Sequence, residues 1–148
     1  MNRFVEVGDA AVFEKTVGES DVYLFAGITG DLAPNHVNEA FMKTSQFGRR
    51  VAHGVLLVGF MSTASTLLVA RALERGCGGT PVSLGYDRIR FLQPVFIGDT
   101  VKVAYRIVEV DPARQRSRSA ITVTNQDGAV VAVAEHVLKW LARAEGPG

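Results

Sequence analysis

The chain lacks most of the features that would assign it to a functional class by composition alone. Cys77 is the only cysteine, which excludes an internal disulfide and favours a reducing compartment, so we expect the protein in the cytoplasm. The formal net charge is +1 over 148 residues, so no broad field would attract nucleic acid or an anionic membrane. This length is typical of one domain, and we expect residues 1–148 to form a single one.

Several recognisable motifs are also missing. The sequence contains no Gly-x-Gly-x-x-Gly, phosphate loop or Gly-x-Ser-x-Gly, which disfavours nucleotide redox chemistry and serine hydrolysis, and we expect no cofactor. The first residues do not form the hydrophobic segment of a signal peptide. The apolar run over residues 54–70 is interrupted by serine and threonine, and we therefore interpret it as a buried helix and not as a membrane span.

Hydrophobic patterning predicts an α+β domain. The apolar and small residues from Gly54 to Arg75 predict a long helix that is surrounded by protein on most sides. Shorter helices are predicted from Ser20 to about Ile28 and from Glu39 to about Gln46. Alternating segments separated by turn residues predict five strands, the last four as an antiparallel meander, at residues 10–17, 82–92, 100–110, 117–125 and 130–140. The result is a five-stranded antiparallel sheet wrapped around the long helix.

A polar loop between the first two helices carries the candidate chemistry. Pro34 cannot continue a helix and restricts the residue before it, so residues 30–36 are predicted to be an irregular loop. Residues 23–36, with Asp31, Pro34 and His36 at the characteristic spacing, resemble the hydratase motif of the MaoC-like dehydratase and R-specific enoyl-CoA hydratase (hydratase 2) family. Residues 52–56 and 90–95 are similar to other segments of that family.

The resemblance implies a hot-dog fold and a hydro-lyase that interconverts trans-2-enoyl-CoA and (R)-3-hydroxyacyl-CoA. Asp31 and His36 are the implied catalytic pair, because hydration needs one group to deprotonate water and one to protonate the carbon next to the thioester. Pro34 would position both side chains at the substrate. The alternative is that Asp31 only stabilises the turn and that His36 is an ordinary buried histidine.

Other residues have both a functional and a structural interpretation. Gly54 begins the long helix, where its free amide could bind a thioester oxyanion or where glycine could merely permit close packing. Ser62 resembles a serine beside the catalytic pair but could be a core hydroxyl. Arg88 and Arg90 alternate along a strand and could bind coenzyme A phosphates or form a solvated face.

His53 could complete a metal site with Asp31 and His36, but no second cysteine and no His-x-x-His spacing supports one, so we expect no metal. We expect His53 to help cap the long helix instead. Ala33 departs from the family pattern, which usually has asparagine there. Two alternatives to a hydratase therefore stay open: a hot-dog thioesterase, which attacks the carbonyl carbon and releases thiol, and a noncatalytic acyl-thioester-binding domain.

Since one sheet leaves two open edges, we also expect a homodimer or a dimer-based oligomer.

The catalytic interpretation predicts a large loss of activity from two single substitutions. Asp31→Asn and His36→Ala should each reduce hydration at least about a hundredfold, as expected for general acid–base groups. Steady-state rates with an enoyl thioester measure the loss, and circular dichroism verifies that the fold is retained. Wild-type rates in either variant would exclude the assigned pair.

Overall fold

The computed structural model describes residues 5–142. These residues form five strands and four helices in an α+β arrangement, and the predicted fold class is confirmed. The elements are β1 (Ala10–Thr16), α1 (Glu19–Thr29), α2 (Pro34–Val37), α3 (Glu39–Met42), α4 (Gly54–Glu74), β2 (Thr80–Phe91), β3 (Thr100–Asp111), β4 (Arg116–Thr124) and β5 (Val130–Leu141).

All strands belong to one antiparallel sheet with the order β1-β3-β4-β5-β2. Strands β3 to β5 form the predicted meander, with Tyr105 opposite Ile121 and Ile121 opposite Ala134. The prediction was wrong for β2, which pairs with β5 at the far edge and not with β3. Turn residues between β2 and β3 mark a change of direction, but they do not determine which strand becomes the neighbour.

The core lies between the sheet and one side of α4. Strands β3 and β4 alternate buried and exposed residues, as a sheet with one covered face requires. The buried stripe of α4 repeats every three or four residues and consists of Leu57, Phe60, Met61, Ala64, Ser65, Leu68 and Ala72. Each buried leucine, phenylalanine or methionine contributes about 2 kcal/mol of transfer free energy, so this stripe holds α4 on the sheet.

The remaining side of α4 is uncovered within the described residues. Val55, Leu67 and Leu73 are 56%, 38% and 43% exposed, which corrects the prediction that protein surrounds this helix on most sides. Small and apolar residues all round a helix permit burial, but a single sheet covers only one side of it. By length and composition alone α4 could cross a membrane, yet the core helix of a soluble protein passes the same test.

A buried polar cluster joins side chains from three strands of the sheet, β2, β3 and β5. His136 on β5 is 2% exposed, and its Nδ1 and Nε2 atoms lie 2.8 Å from the hydroxyls of Tyr105 and Ser83. Its ring stacks on Tyr86 at a centroid distance of 4.1 Å. Burial lowers the pKa of His136 from 6.5 to about 4, so the folded protein holds this ring neutral well into the acidic range.

This depressed pKa predicts a loss of stability in mild acid. The unfolded chain protonates His136 below about pH 6.5 and the folded chain only near pH 4, so its contribution is present above pH 6.5 and is lost progressively towards pH 4. Between pH 7 and pH 5 the difference is about 2 kcal/mol. Urea unfolding at both pH values should show that His136→Gln removes this part of the pH dependence. Identical pH dependence in both proteins would contradict the assignment.

Candidate active site

The segment after α1 is ordered by its glycine and its proline. Gly30 ends α1 in the left-handed conformation at φ 79°, and its amide donates to the Ala26 carbonyl at 2.8 Å. Pro34 then occupies the first turn of α2, where its fixed φ and missing N–H cost nothing. The predicted irregular loop is therefore only partly irregular, because residues 34–37 form one helical turn that carries His36.

Ala33 contributes to this segment through its backbone. Its amide donates to Asp31 Oδ1 at 3.4 Å, and its carbonyl accepts from the His36 amide at 2.9 Å. Both contacts use the backbone amide and carbonyl of Ala33, so neither depends on its side chain.

The His36 ring is held in one orientation and one tautomer. The side chain is buried at 9% exposure, and Nδ1 lies 2.7 Å from the Val51 carbonyl oxygen. A carbonyl can only accept, so Nδ1 carries a proton, and Nε2 is the nitrogen that can accept one in the neutral ring. A neutral imidazole with a free Nε2 is the form that a general base requires.

Asp31 lies beside this ring and is open to solvent. Its side chain is 49% exposed, in contrast to the buried His36. A carboxylate oxygen of Asp31 and a ring nitrogen of His36 lie within 4.8 Å of each other. One water molecule can bridge such a gap, because two hydrogen bonds of about 2.8 Å each span more than that distance.

A groove of about 440 Å³ opens in front of His36. Its lining is mainly apolar and includes Phe47, Leu57 and Phe91 together with the first residue of α4, Gly54. An acyl chain is the kind of ligand that such a surface accepts. Asp31 is not among the lining residues and lies at the margin, next to His36.

Gly54 has the features of both interpretations, a free amide at the start of a helix and a close packing contact. Within residues 5–142 its amide has no hydrogen-bond partner, as expected at the start of a helix, where the dipole favours negative charge. A Cβ atom built there would lie 2.9 Å from Cγ of Phe91. Glycine therefore permits the close approach of Phe91, and Gly54, whose amide has no partner within residues 5–142, is one of the residues that line the groove.

The sequence interpretation of His53 was wrong in its detail. His53 occupies the N-cap position of α4, but its side chain does not cap the helix. Instead, Nε2 lies 3.0 Å from the Asp31 carbonyl oxygen, and the ring stacks on His36 at 3.8 Å. The carbonyl-bound nitrogens of His36 and His53 are proton donors in this arrangement, and each ring has one further nitrogen, Nε2 of His36 and Nδ1 of His53. Asp31, His36 and His53 each offer one possible ligand atom within 4.8 Å of the others, so the absence of a metal stays a prediction.

Arg50 is a second residue that sequence reasoning missed. It is buried at 9% exposure, pairs with Glu19 and Glu39, and points Nη1 at the His36 carbonyl oxygen at 3.4 Å. The hydrogen bonds that Arg50 donates to Glu19 and to Glu39 raise its pKa, so it stays charged. It ties α1 and α3 to the turn that carries His36. No sequence motif identifies Arg50, because its partners Glu39 and Glu19 lie 11 and 31 residues away along the chain.

The four predicted substrate-binding residues are not among the residues that line the groove: Ser62, Pro34, Arg88 and Arg90. Ser62 lines a separate cavity of about 170 Å³ with Ser83 and His136. A bulge interrupts β2 between Asp87 and Arg90, and Arg88 has a positive φ of 51°.

This bulge corrects the regular alternation expected of Arg88 and Arg90. Arg88 pairs with Glu135 at 3.3 Å, and Arg90 donates to the Ile89 carbonyl at 2.7 Å. Within the described part of the chain, neither arginine lines the groove.

Comparisons with known proteins agree with this geometry. The family model described as "MaoC like domain" matches residues 5–129. A 3-hydroxybutyryl-CoA dehydratase of Methylorubrum extorquens is 36% identical over 127 residues, covering 86% of this chain and 76% of the relative. An (R)-specific enoyl-CoA hydratase of Rhodospirillum rubrum is 37% identical over 111 residues, covering 75% and 72%. The structure of the (R)-hydratase from A. caviae involved in PHA biosynthesis superimposes with a TM-score of 0.79 at 29% identity, covering 92% and 97%.

The packing at Gly54 predicts a specific second-site rescue. Gly54→Ala should lower the hydration rate at least about tenfold, because the added methyl group meets the Phe91 ring and shifts either that ring or the start of α4. Phe91→Leu, which shortens the obstructing side chain, should restore part of the rate when combined with Gly54→Ala. Steady-state kinetics of both single variants and the double variant measure this. Additive losses in the double variant would show that Phe91 is not the obstacle.

Proposed function

Because this chain belongs to the MaoC-like domain family, we propose that it hydrates trans-2-enoyl-CoA reversibly to (R)-3-hydroxyacyl-CoA through Asp31, His36 and Gly54. The observation that carries this proposal is the pairing of a solvent-open carboxylate with a tautomer-locked imidazole within 4.8 Å, beside an apolar groove. A thioester is the substrate class that its relatives' names specify.

The chemistry follows from the free atoms of the site. Water between Asp31 and His36 gives one proton to Nε2 of His36 while its oxygen bonds to C3 of the enoyl thioester. The electron pair of the double bond moves towards the thioester carbonyl, and the Gly54 amide stabilises the resulting enolate oxygen by roughly 3 kcal/mol. The Asp31–His36 pair then returns one proton to C2, so the addition consumes one water molecule and leaves the site unchanged.

The position of the acyl chain follows from the same assignment. With the thioester carbonyl at Gly54 and C3 near His36, the chain would lie along the apolar lining of the groove near Leu57 and Phe91. The coenzyme A portion would leave through the open side. Pro34 supports this arrangement indirectly, because it begins the helical turn that presents His36.

Crotonyl-CoA distinguishes the proposed hydratase from its two alternatives. The purified protein should remove the enoyl absorbance without releasing free thiol, and chiral analysis should identify the product as (R)-3-hydroxybutyryl-CoA. Parallel thiol titration is the control. Thiol release would identify a thioesterase, and tight binding with neither change would identify a noncatalytic acyl-binding domain.

The proposal extends to assembly, domain extent and location. We expect residues 1–148 to form one hot-dog domain in the cytoplasm, on the basis of chain length and the lone Cys77. A homodimer or dimer-based oligomer would cover the exposed apolar residues of α4, Val55 and Leu67 among them, and would pair an open sheet edge.

Sedimentation equilibrium tests the assembly. The expected mass is twice that of one chain or a higher even multiple, since a second copy removes apolar surface from water and satisfies unpaired strand groups. Measurements across a hundredfold range of protein concentration separate a stable dimer from weak association. A constant single-chain mass throughout would contradict this prediction.

A further inference from the structure

His53 contacts both members of the proposed catalytic pair, although the mechanism above assigns it no step. It is 1% exposed, the least accessible of the three ionisable side chains at the site. Its Nδ1 atom is buried and has no hydrogen-bond partner within residues 5–142. An unsatisfied polar atom in such a position costs free energy, so its retention needs a reason.

The two contacts of His53 act on different parts of the site. Nε2 donates to the Asp31 carbonyl oxygen at 3.0 Å, which fixes the main chain that carries the carboxylate. The ring stacks on His36 with centroids 3.8 Å apart and planes 27° apart. One rigid side chain therefore connects the backbone of Asp31 to the ring of His36.

The hydrogen-bond geometry of His53 fits this connecting role. The bond to the Asp31 carbonyl requires a proton on Nε2, and the buried Nδ1 has no partner within residues 5–142. The face of an aromatic ring is a favourable neighbour for the imidazolium that forms when His36 accepts a proton from water. The ring of Phe25 packs against the His53 ring, with the two centroids 4.6 Å apart, and helps to hold His53 in place.

We propose that His53 is a positioning residue of the hydratase site, which sets the separation between Asp31 and His36 by a hydrogen bond to one and ring stacking on the other. The inference rests on the proposed hydration, in which both groups must act on one water molecule. A displacement of about 1 Å in such a pair can lower a rate by up to about a hundredfold.

Two substitutions separate the contacts. His53→Gln places an amide donor near the position of Nε2 but removes the stacking ring, whereas His53→Phe keeps a ring and removes the donor. Each variant should lower kcat for crotonyl-CoA about ten- to a hundredfold with KM changed less than about threefold, because alignment and not binding is lost. Wild-type kcat in both variants would overturn the proposal.

His136→Gln is the matched control, because it removes another buried histidine that lies outside the groove. It should leave kcat unchanged even where it lowers the melting temperature. The folded fraction of every variant is measured by circular dichroism at the assay temperature. If the losses in the His53 variants equal their unfolded fractions, His53 has only a structural role and the proposal is overturned.

A readout independent of activity distinguishes this proposal from the proposed function. In ¹⁵N-labelled wild-type protein, the ring signals of His36 should show the proton on Nδ1, which the Val51 carbonyl holds. Both His53 variants should shift or broaden these signals, because each alters the ring that stacks on His36. If the wild type hydrates no enoyl thioester, the proposed function fails while this change still supports the positioning role. Unchanged His36 signals in both variants would overturn it whatever the activity.

Discussion

The burial of one stripe of α4 against the sheet determines where every group of the site lies. The helix cannot slide or rotate without uncovering Leu57, Met61 or Leu68, each at most 2% exposed. Its first turn is thereby fixed in space, and with it the Gly54 amide and the His53 ring. A site that depends on distances of a few ångströms needs this kind of immovable support.

Around that support, the turn carrying Asp31 and His36 is held mainly by polar contacts. The Val51 carbonyl fixes the His36 tautomer, His53 holds the Asp31 main chain, and Arg50 ties the turn to two helices. These contacts are directional, and an apolar packing surface could not select one nitrogen of an imidazole. The apolar core therefore sets the position of the site, and the polar contacts around the turn fix which nitrogen of His36 carries a proton.

Two buried histidine environments show how the same side chain is used differently. His136 is surrounded by hydroxyls and a tyrosine ring, and burial alone keeps it neutral. His36 has one nitrogen hydrogen-bonded to a carbonyl, and its side chain is among the residues that line the groove. Burial by itself thus does not identify a catalytic histidine, and the proposed role of His36 rests instead on its hydrogen-bonded Nδ1, the neighbouring carboxylate and the apolar groove.

The sequence by itself determined the α+β class and the bounds of the five strands and of α4 to within about two residues, because these follow from local periodicity. Its resemblance to the family motif supplied the candidate pair Asp31 and His36. Only the tertiary structure decided the place of β2 at the sheet edge, the bulge that separates Arg88 and Arg90, and the contacts of His53. The partners of His53 and Arg50 come from distant segments. Their contacts depend on how α1, α4 and the intervening turn pack, and no local pattern records that.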